Sequence, residues 1–403
     1  MSNYAGRISV MEKEVRKLKV LTDSLVSPDM ISFAGGAPGL EAYPMEELRS
    51  ISQEVFQRTA EGYGSVKYGS VFGNEELREA VRDVLLRPRG LEADIKNIMI
   101  TSGGIQPMNL ICQMLIDPGD VILVEAPSFV HTSMIYKMFQ AELVPCTMDE
   151  EGLVIGEVEE KIKKYDPKFI YTVPTFQNPT GITMSEERRR QLAELGEKYN
   201  VIILEDDPYR EIRYSGRDLP YIKSMDKTGD VIMANSFSKI FSPGSRLGYL
   251  VAKDEYIEKL GNIKLGTDTC TNTIAQAMAA EFFRRGLYPA HRENLCRLYR
   301  GRRDAMLKAL DAYFPAGTKH TMPDGGYYVW VELPEGLDAA AMAPEAAEKL
   351  NICYGIGSIF YTEGNPEDAG SNCIRMNFSG LDEDTIETNL KKLGGFFTAK
   401  AEK

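Results

Sequence analysis

The sequence predicts an α/β protein: a mostly parallel central sheet covered by helices, followed by a smaller α+β part. Three observations predict it. From residue 97 onward, short apolar runs recur at 97–101, 121–125, 169–173, 201–205, 230–235 and 247–252. Continuous apolar runs of this length suit strands buried on both faces. Helical stretches such as 185–199 separate them, and strands alternating with helices imply parallel crossovers. Beyond about residue 290 the rhythm changes to fewer strands and longer helices. The 403 residues are enough for two domains. The expected division is a large domain over 45–290 and a small one built from 1–44 and 291–403.

In order along the chain, residues 7–26 carry Val10, Leu18, Leu21 and Leu25 among charged residues at helical spacing, which predicts a helix. Its basic cluster, Arg16-Lys17-Leu18-Lys19, reads as a solvated face. Ile31-Ser32-Phe33-Ala34-Gly35-Gly36-Ala37-Pro38-Gly39 is too rich in Gly and Pro for a helix and reads as an extended connector. Helical patterns follow at 45–59 and 74–86, with a glycine- and tyrosine-rich loop around Tyr68 between them. An apolar helix follows Ser102-Gly103-Gly104. Long helices are expected at 272–285 and 291–313. A strand opened by Gly325-Gly326 runs to Leu333. A helix at 338–350, a strand at 373–378 and a terminal helix from Asp382 complete the chain. Gly355-Ile356-Gly357 lacks the third glycine and the βαβ context of a dinucleotide fingerprint.

Composition excludes several function classes. A net charge of −12 argues against a nucleic-acid or anionic-membrane surface. The six cysteines are scattered singly with no Cys-x-x-Cys pair, and the three histidines lie far apart, so no metal site is expected. Unpaired thiols fit a reducing compartment. The N-terminus has no apolar signal core, and no apolar stretch is long enough to span a bilayer. A cytoplasmic protein is expected.

Ligands of parallel α/β sheets bind at the C-terminal ends of strands. The richest such end is Ser236-Phe237-Ser238-Lys239-Ile240-Phe241-Ser242-Pro243-Gly244-Ser245-Arg246-Leu247-Gly248, between two apolar runs. An ammonium is costly to bury, and burial lowers its pKa until the neutral amine can attack a carbonyl. Hydroxyls at Ser236 and Ser238 with a guanidinium at Arg246 suit a phosphate dianion. A Schiff-base lysine beside a phosphate cradle describes a pyridoxal phosphate site. The competing reading is a surface loop with one solvated lysine. The other strand ends add to the first reading. Ser102-Gly103-Gly104 turning into a helix makes an anion site or an ordinary tight turn. Phe129 could stack on an aromatic ring or fill the core. Asn178-Pro179-Thr180-Gly181 offers an amide into the crevice. In Glu205-Asp206-Asp207-Pro208-Tyr209, an acid at a buried strand end can hold a pyridine nitrogen protonated; a magnesium site on three acids is the weaker alternative.

Taken together and in this order, these motifs resemble the fold-type I pyridoxal-phosphate aminotransferases of class I/II, and within them the 2-aminoadipate and kynurenine aminotransferases. The resemblance runs from about residue 16 to the C-terminus. It implies that Lys239 is the cofactor-bearing lysine and that Asp206 pairs with the ring nitrogen. Tyr209 and Asn178 would hydrogen-bond the ring oxygen, and Phe129 would stack on the ring. Ser236, Ser238, Arg246 and the backbone at Gly103, Gly104 and Ile105 would hold the phosphate. Tyr68 would reach the phosphate of a neighbouring subunit, which implies a homodimer. Arg375 would clamp the substrate α-carboxylate, with Gly36 in the segment over the substrate. Two departures stand out. The phosphate turn is Ser-Gly-Gly-Ile-Gln where many relatives have Ser-Gly-Ser-Gln-Gln, so a hydroxyl is missing at Gly104. The arginine that some relatives place in the N-terminal helix corresponds to Lys19.

The activity implied is transfer of an amino group from an L-amino acid (acidic, aromatic or aliphatic) to a 2-oxo acid such as 2-oxoglutarate. A lyase or decarboxylase on the same cofactor would share these residues. A non-catalytic regulator with an aminotransferase-like domain would need a DNA-binding module, and the sequence offers no basic N-terminal domain.

Overall fold

A computed structural model describes residues 4–22, 29–62 and 64–402. The N-terminal helix α1 (Arg7–Thr22) is followed by a two-residue strand β1 (Ile31–Ser32), α2 (Met45–Gly62) and α3 (Glu75–Ala80). A π-helical turn, Val81–Leu86, continues α3, so the pattern at 74–86 forms a helix in two registers. The large sheet then begins with β2 (Ile98–Thr101), α4 (Ile105–Leu115), β3 (Val121–Ala126), α5 (Val130–Met138), β4 (Glu142–Asp149), β5 (Gly152–Leu153), α6 (Ile155–Tyr165) and β6 (Phe169–Thr172). It ends with α7 (Glu186–Tyr199), β7 (Ile202–Asp206), β8 (Val231–Ser236) and β9 (Gly248–Val251). Three helices follow, α8 (Asp254–Thr267), α9 (Thr273–Arg284) and α10 (Tyr288–Tyr313). The remainder is β10 (Lys319–His320), β11 (Tyr328–Glu332), α11 (Ala339–Leu350), β12 (Ile352–Cys353), β13 (Gly355–Ile356), β14 (Cys373–Asn377) and α12 (Glu383–Ala401).

The eight-stranded sheet has the order β2-β9-β8-β7-β6-β3-β4-β5. Strands β8, β7, β6, β3 and β4 are mutually parallel, and β9 runs antiparallel to both of its neighbours. Two features depart from the sequence reading. Strand β4 and the hairpin to β5 were not anticipated, because Pro145 and the charged ends of β4 break the apolar run near the sheet edge. The run at 247–252 forms a strand but reverses direction, since the tight turn through Lys239 leaves no room for a crossover helix.

Both faces of this sheet are covered, which is why its strands are apolar throughout. In β2, Ile98 and Ile100 join one core with Leu77, Tyr249 and Phe282, while Met99 faces the other with Leu110, Ile122 and Leu260. A four-stranded sheet, β10-β11-β14-β13, packs with α10, α11 and α12 around Tyr299, Val329, Ile374, Leu390 and Phe397. Helix α10 links the two regions: Tyr288 packs beneath the large sheet, and Leu295 onward packs in the smaller core. Helix starts are fixed by side-chain caps: Ser185 on α7, Asn272 on α9, Asp338 on α11 and Asp382 on α12 each accept from a first-turn N–H.

The extended connector does what its composition suggests. Strand β1 pairs in parallel with β12, and Asn377 donates its backbone N–H to Phe33 at 2.8 Å. Residues 31–37 are thereby tied to the smaller sheet and laid across the ends of the large one.

Candidate active site

Register brings the predicted strand ends together. Thr101 and Ser236, the last residues of β2 and β8, both pair with Gly248 at the start of β9. Only glycine fits there: a Cβ at Gly248 would lie 2.6 Å from the Gly103 carbonyl carbon and 2.8 Å from the Asn235 oxygen. The turn after β2 is thus pressed against the turn after β8. Gly103 takes φ +76° and its face is covered by the Arg246 guanidinium. Its N–H donates back to Thr101 at 2.9 Å, so its contribution is space rather than a donor. Gly104 caps α4, and the N–H groups of Gly104 and Ile105 have no acceptor among the described residues. Ser236 Oγ accepts from the Ser238 N–H at 3.1 Å and lies 3.0 Å from Ser238 Oγ. Two open N–H groups at a helix start, two hydroxyls and an exposed arginine form a cradle that fits a phosphate dianion.

The turn is braced from behind. Asp268 accepts from Ser102 Oγ at 3.0 Å and Gln106 Nε2 at 2.7 Å on one oxygen, and from the buried Lys264 Nζ at 2.6 Å on the other. This bracing, absent from the sequence reading, holds the turn in which Gly104 replaces a hydroxyl residue.

Lys239 follows the cradle in a short 3-10 turn, Phe237–Lys239. Its Nζ donates to the Gly36 carbonyl at 3.1 Å and lies 5.0 Å from the centroid of Tyr327 and 5.7 Å from that of Tyr209. Burial first, then the neighbouring Arg375 and Arg246 charges, lower its pKa to about 8. The amine is therefore far closer to its nucleophilic form near neutrality than a surface lysine. The solvated-loop reading is excluded.

The three acids at the end of β7 go separate ways. Glu205 is fully buried and accepts backbone N–H groups from Ile222 at 3.0 Å and Lys223 at 2.8 Å. Asp207 pairs with Arg210 at 2.6 Å, both buried. Asp206 points elsewhere: its Oδ2 accepts from the Tyr171 hydroxyl at 3.0 Å, and its Oδ1 accepts from no described residue. Burial pushes Asp206 up to about 7, with Asp207 and Glu125 adding to the rise and Tyr171 opposing it. A buried carboxylate with one open oxygen fits a ring N–H⁺, whose charge would draw the pKa back down.

Tyr209 is buried against Tyr327 and Tyr328, with centroids 5.8 and 6.0 Å away. Its hydroxyl accepts from Asn178 Nδ2 at 3.4 Å. Asn178 Oδ1 in turn accepts from Arg375 Nη1 at 2.9 Å, and Arg375 Nη2 donates to the Ala34 carbonyl at 2.5 Å. The guanidinium is held between Tyr328, 4.3 Å from its centroid, and Phe360, at 4.8 Å. Its Nε is buried and has no partner among the described residues. Phe129 is half-buried at the start of α5, 5.2 Å from the His131 ring. A Cβ at Gly36 would collide with the Tyr328 hydroxyl, so a side chain there would force the segment or the tyrosine to shift.

The cleft therefore gathers Lys239, Asp206, Tyr209, Asn178, Arg375 and Gly36 with the cradle of Gly103, Gly104, Ile105, Ser236, Ser238 and Arg246. Tyr68 is not gathered; it stands 90% exposed and makes no hydrogen bond among the described residues. Lys19 falls in the last turns of α1, and its side chain lies outside the described residues. Sequence reasoning missed Tyr171 and Tyr328. Tyr171 carried one signal: a tyrosine in a buried strand must find a partner for its hydroxyl.

Such a lysine, acid and phosphate cradle at the ends of a mostly parallel sheet define a pyridoxal-phosphate enzyme of fold type I. Residues 28–393 match the family described as aminotransferase class I and II. The chain is 37% identical to aromatic-amino-acid aminotransferase 1 of Thermococcus litoralis, over 96% of this chain and 91% of the relative. It is 32% identical to the 2-aminoadipate transaminase of Thermus thermophilus, over 97% and 94%. The crystal structure of Pyrococcus horikoshii kynurenine aminotransferase in complex with PMP superposes with a TM-score of 0.89 at 38% identity, covering 96% of this chain and 94% of that one. The chain belongs to the class I and II aminotransferases; it is a transaminase, and its cofactor is pyridoxal 5′-phosphate.

Proposed function

We propose that this aminotransferase has a broad L-amino-acid range, taking acidic, aromatic and aliphatic donors with a 2-oxo acid such as 2-oxoglutarate as acceptor. The observation that carries the reading is Arg375: a guanidinium clamped between two aromatic rings, close enough to Lys239 to lower its pKa, and keeping a buried Nε without a partner among the described residues. A planar fork of this kind suits the α-carboxylate that every substrate shares. The rest of the pocket wall is aromatic, from Tyr327, Tyr328 and Phe360, and selects weakly among side chains. The relatives' names span aromatic, 2-aminoadipate and kynurenine substrates, which supports breadth in this chain too.

Each residue has a task. Backbone N–H groups of Gly104 and Ile105, with Ser236, Ser238 and Arg246, hold the phosphate, and Gly103 leaves room for Arg246. Phe129, by resemblance, would stack on the ring. Tyr209 and Asn178 bind its oxygen, and Asn178 couples that oxygen to Arg375. Asp206 keeps the ring nitrogen protonated. When bound, the cofactor supplies an aldehyde for the substrate amine and a ring that accepts the electron pair left when Cα loses its proton. Lys239 moves that proton, as base at Cα and then as acid at the cofactor carbon. Gly36 and its neighbours exclude water from above. Lys19, by resemblance, meets the distal end of acidic substrates. We further propose a cytoplasmic homodimer, with Tyr68 serving the partner's phosphate; its 90% exposure supports that role.

The test is a panel of half-reaction rates for about twenty amino acids, with wild type and Lys19→Ala. Broad reactivity with a selective loss for acidic substrates in the variant is expected. Reaction with one amino acid alone, or unchanged acidic rates in Lys19→Ala, would overturn the specificity account.

A further inference from the structure

Behind Asp206 lies a buried hydrogen-bond relay that none of the sequence motifs contains. Tyr171, on β6, is fully buried and donates to Asp206 Oδ2 at 3.0 Å. With its only proton committed there, its oxygen accepts from Thr132 Oγ1 on α5, 3.1 Å away and equally buried. The phenol ring is held edge-on to Tyr136, with centroids 5.6 Å apart. Rotation of the Asp206 carboxylate is thus fixed from one side, and its open Oδ1 is left toward the cleft.

We infer that Tyr171 is a positioning residue that orients the Asp206 carboxylate for the ring nitrogen, with Thr132 fixing the direction of the tyrosine hydroxyl. The inference rests on Asp206 holding that nitrogen. A carboxylate that already accepts one buried hydrogen bond meets the ring with its free oxygen pre-aimed, so less ordering is needed on binding. The donation also favours the ionised acid. It works against burial and against the acidic neighbours Asp207 and Glu125; the phenols of Tyr136 and Tyr209 also feel the Asp206 charge and stay neutral, and Lys239 shares the cleft.

The probe is pyridoxamine 5′-phosphate, which binds without a covalent bond to Lys239. Its dissociation constant is measured against pH for the cofactor-depleted protein. Tyr171→Phe, which keeps the ring and its packing, should weaken binding about tenfold or more at neutral pH, the usual loss for a hydrogen bond to a charged group. The acid-side midpoint of binding should move to higher pH, because Asp206 then holds its proton longer. Thr132→Val should act in the same direction with a smaller effect, and Thr132→Ser should restore wild-type binding. In an Asp206→Asn background, Tyr171→Phe should have no further effect. Wild-type affinity and midpoint in Tyr171→Phe, or an equal loss in the Asp206→Asn background, would overturn the inference while leaving Asp206 in place. Wild-type affinity in Asp206→Asn alone would overturn the assignment of Asp206 and the inference with it.

Discussion

Lys239 and Arg375 are two cations within one buried cleft, and each donates to a carbonyl of the N-terminal connector: Lys239 to Gly36, Arg375 to Ala34. Their repulsion helps lower the lysine pKa to about 8. Arg375→Ala leaves a substrate carboxylate buried without its partner, so kcat/KM should fall by at least about two orders of magnitude for every amino acid, or roughly 3 kcal/mol. A loss confined to acidic substrates would show that Arg375 serves the side chain instead. The acids titrate in the opposite sense. Glu125, Glu205 and Asp206 are each pushed up to about 7 by burial, from ordinary values of 4.5, 4.5 and 3.8. Between pH 4 and 7 the folded cofactor-free protein therefore holds protons that the unfolded chain has lost. Its stability should fall as pH rises through that window. Asp206→Asn removes one of the three contributions, up to about 4 kcal/mol, and should flatten the slope measured by urea unfolding between pH 4 and 7. An unchanged slope would mean that Asp206 is ionised in the free protein. At this scale the motif residues were legible because chemistry restricts them to a few side chains. Tyr171 was not, since Phe-Ile-Tyr-Thr-Val reads as an apolar strand whether or not its hydroxyl has work to do. Arg375's aromatic clamp was hidden too, because Tyr328 and Phe360 lie far from it in sequence and meet it only in the fold.

Among the elements, α1 docks on α5, and two ion pairs fasten its described residues. Glu14 and Lys137 of α5 form an ion pair at 3.2 Å with side chains only 7% and 11% exposed, and Lys13 reaches Glu363 at 2.9 Å on the surface. The surface pair contributes little, whereas breaking the buried one strands a charge at a cost of about 3 kcal/mol. Glu14→Ala should release α1 and speed limited proteolysis within it, while the double change Glu14→Leu with Lys137→Met should restore protection. Equal cleavage rates for wild type and Glu14→Ala would show that apolar contacts hold the helix. The apolar helices and strands of the large sheet were legible because burial on both faces writes a plain signal. The stretch from 130 to 165 was not: α5 buries polar residues (Thr132, Ser133, Lys137) beside its apolar ones, β4 carries Pro145, and α6 is a charged amphipathic helix, so no single period dominates. The antiparallel turn of β9 was likewise invisible, because strand direction follows from loop closure rather than from the strand's own residues.

For the whole molecule, the connector at 31–37 joins the two halves of the site. It pairs with β12 in a two-stranded sheet of its own and accepts a hydrogen bond from Asn377 of β14, while its carbonyls meet Lys239 from the larger sheet and Arg375 from the smaller one. Gly36→Ala forces a methyl group into the Tyr328 hydroxyl, so segment or tyrosine must shift. Overpacking of this kind costs about 1–3 kcal/mol and here should lower kcat/KM without loss of bound cofactor. Retention of full activity would mean that the segment adjusts freely. The central claim is that Lys239 and its surroundings carry an amino group from one substrate to another rather than eliminating or decarboxylating. The most direct measurement is the yield of 2-oxo acid when the cofactor-loaded protein is mixed with excess amino acid and no acceptor. One equivalent per Lys239, resumed only on addition of 2-oxoglutarate and absent in Lys239→Ala, is the result predicted. Continued turnover without an acceptor, or an equal yield from Lys239→Ala, would contradict it.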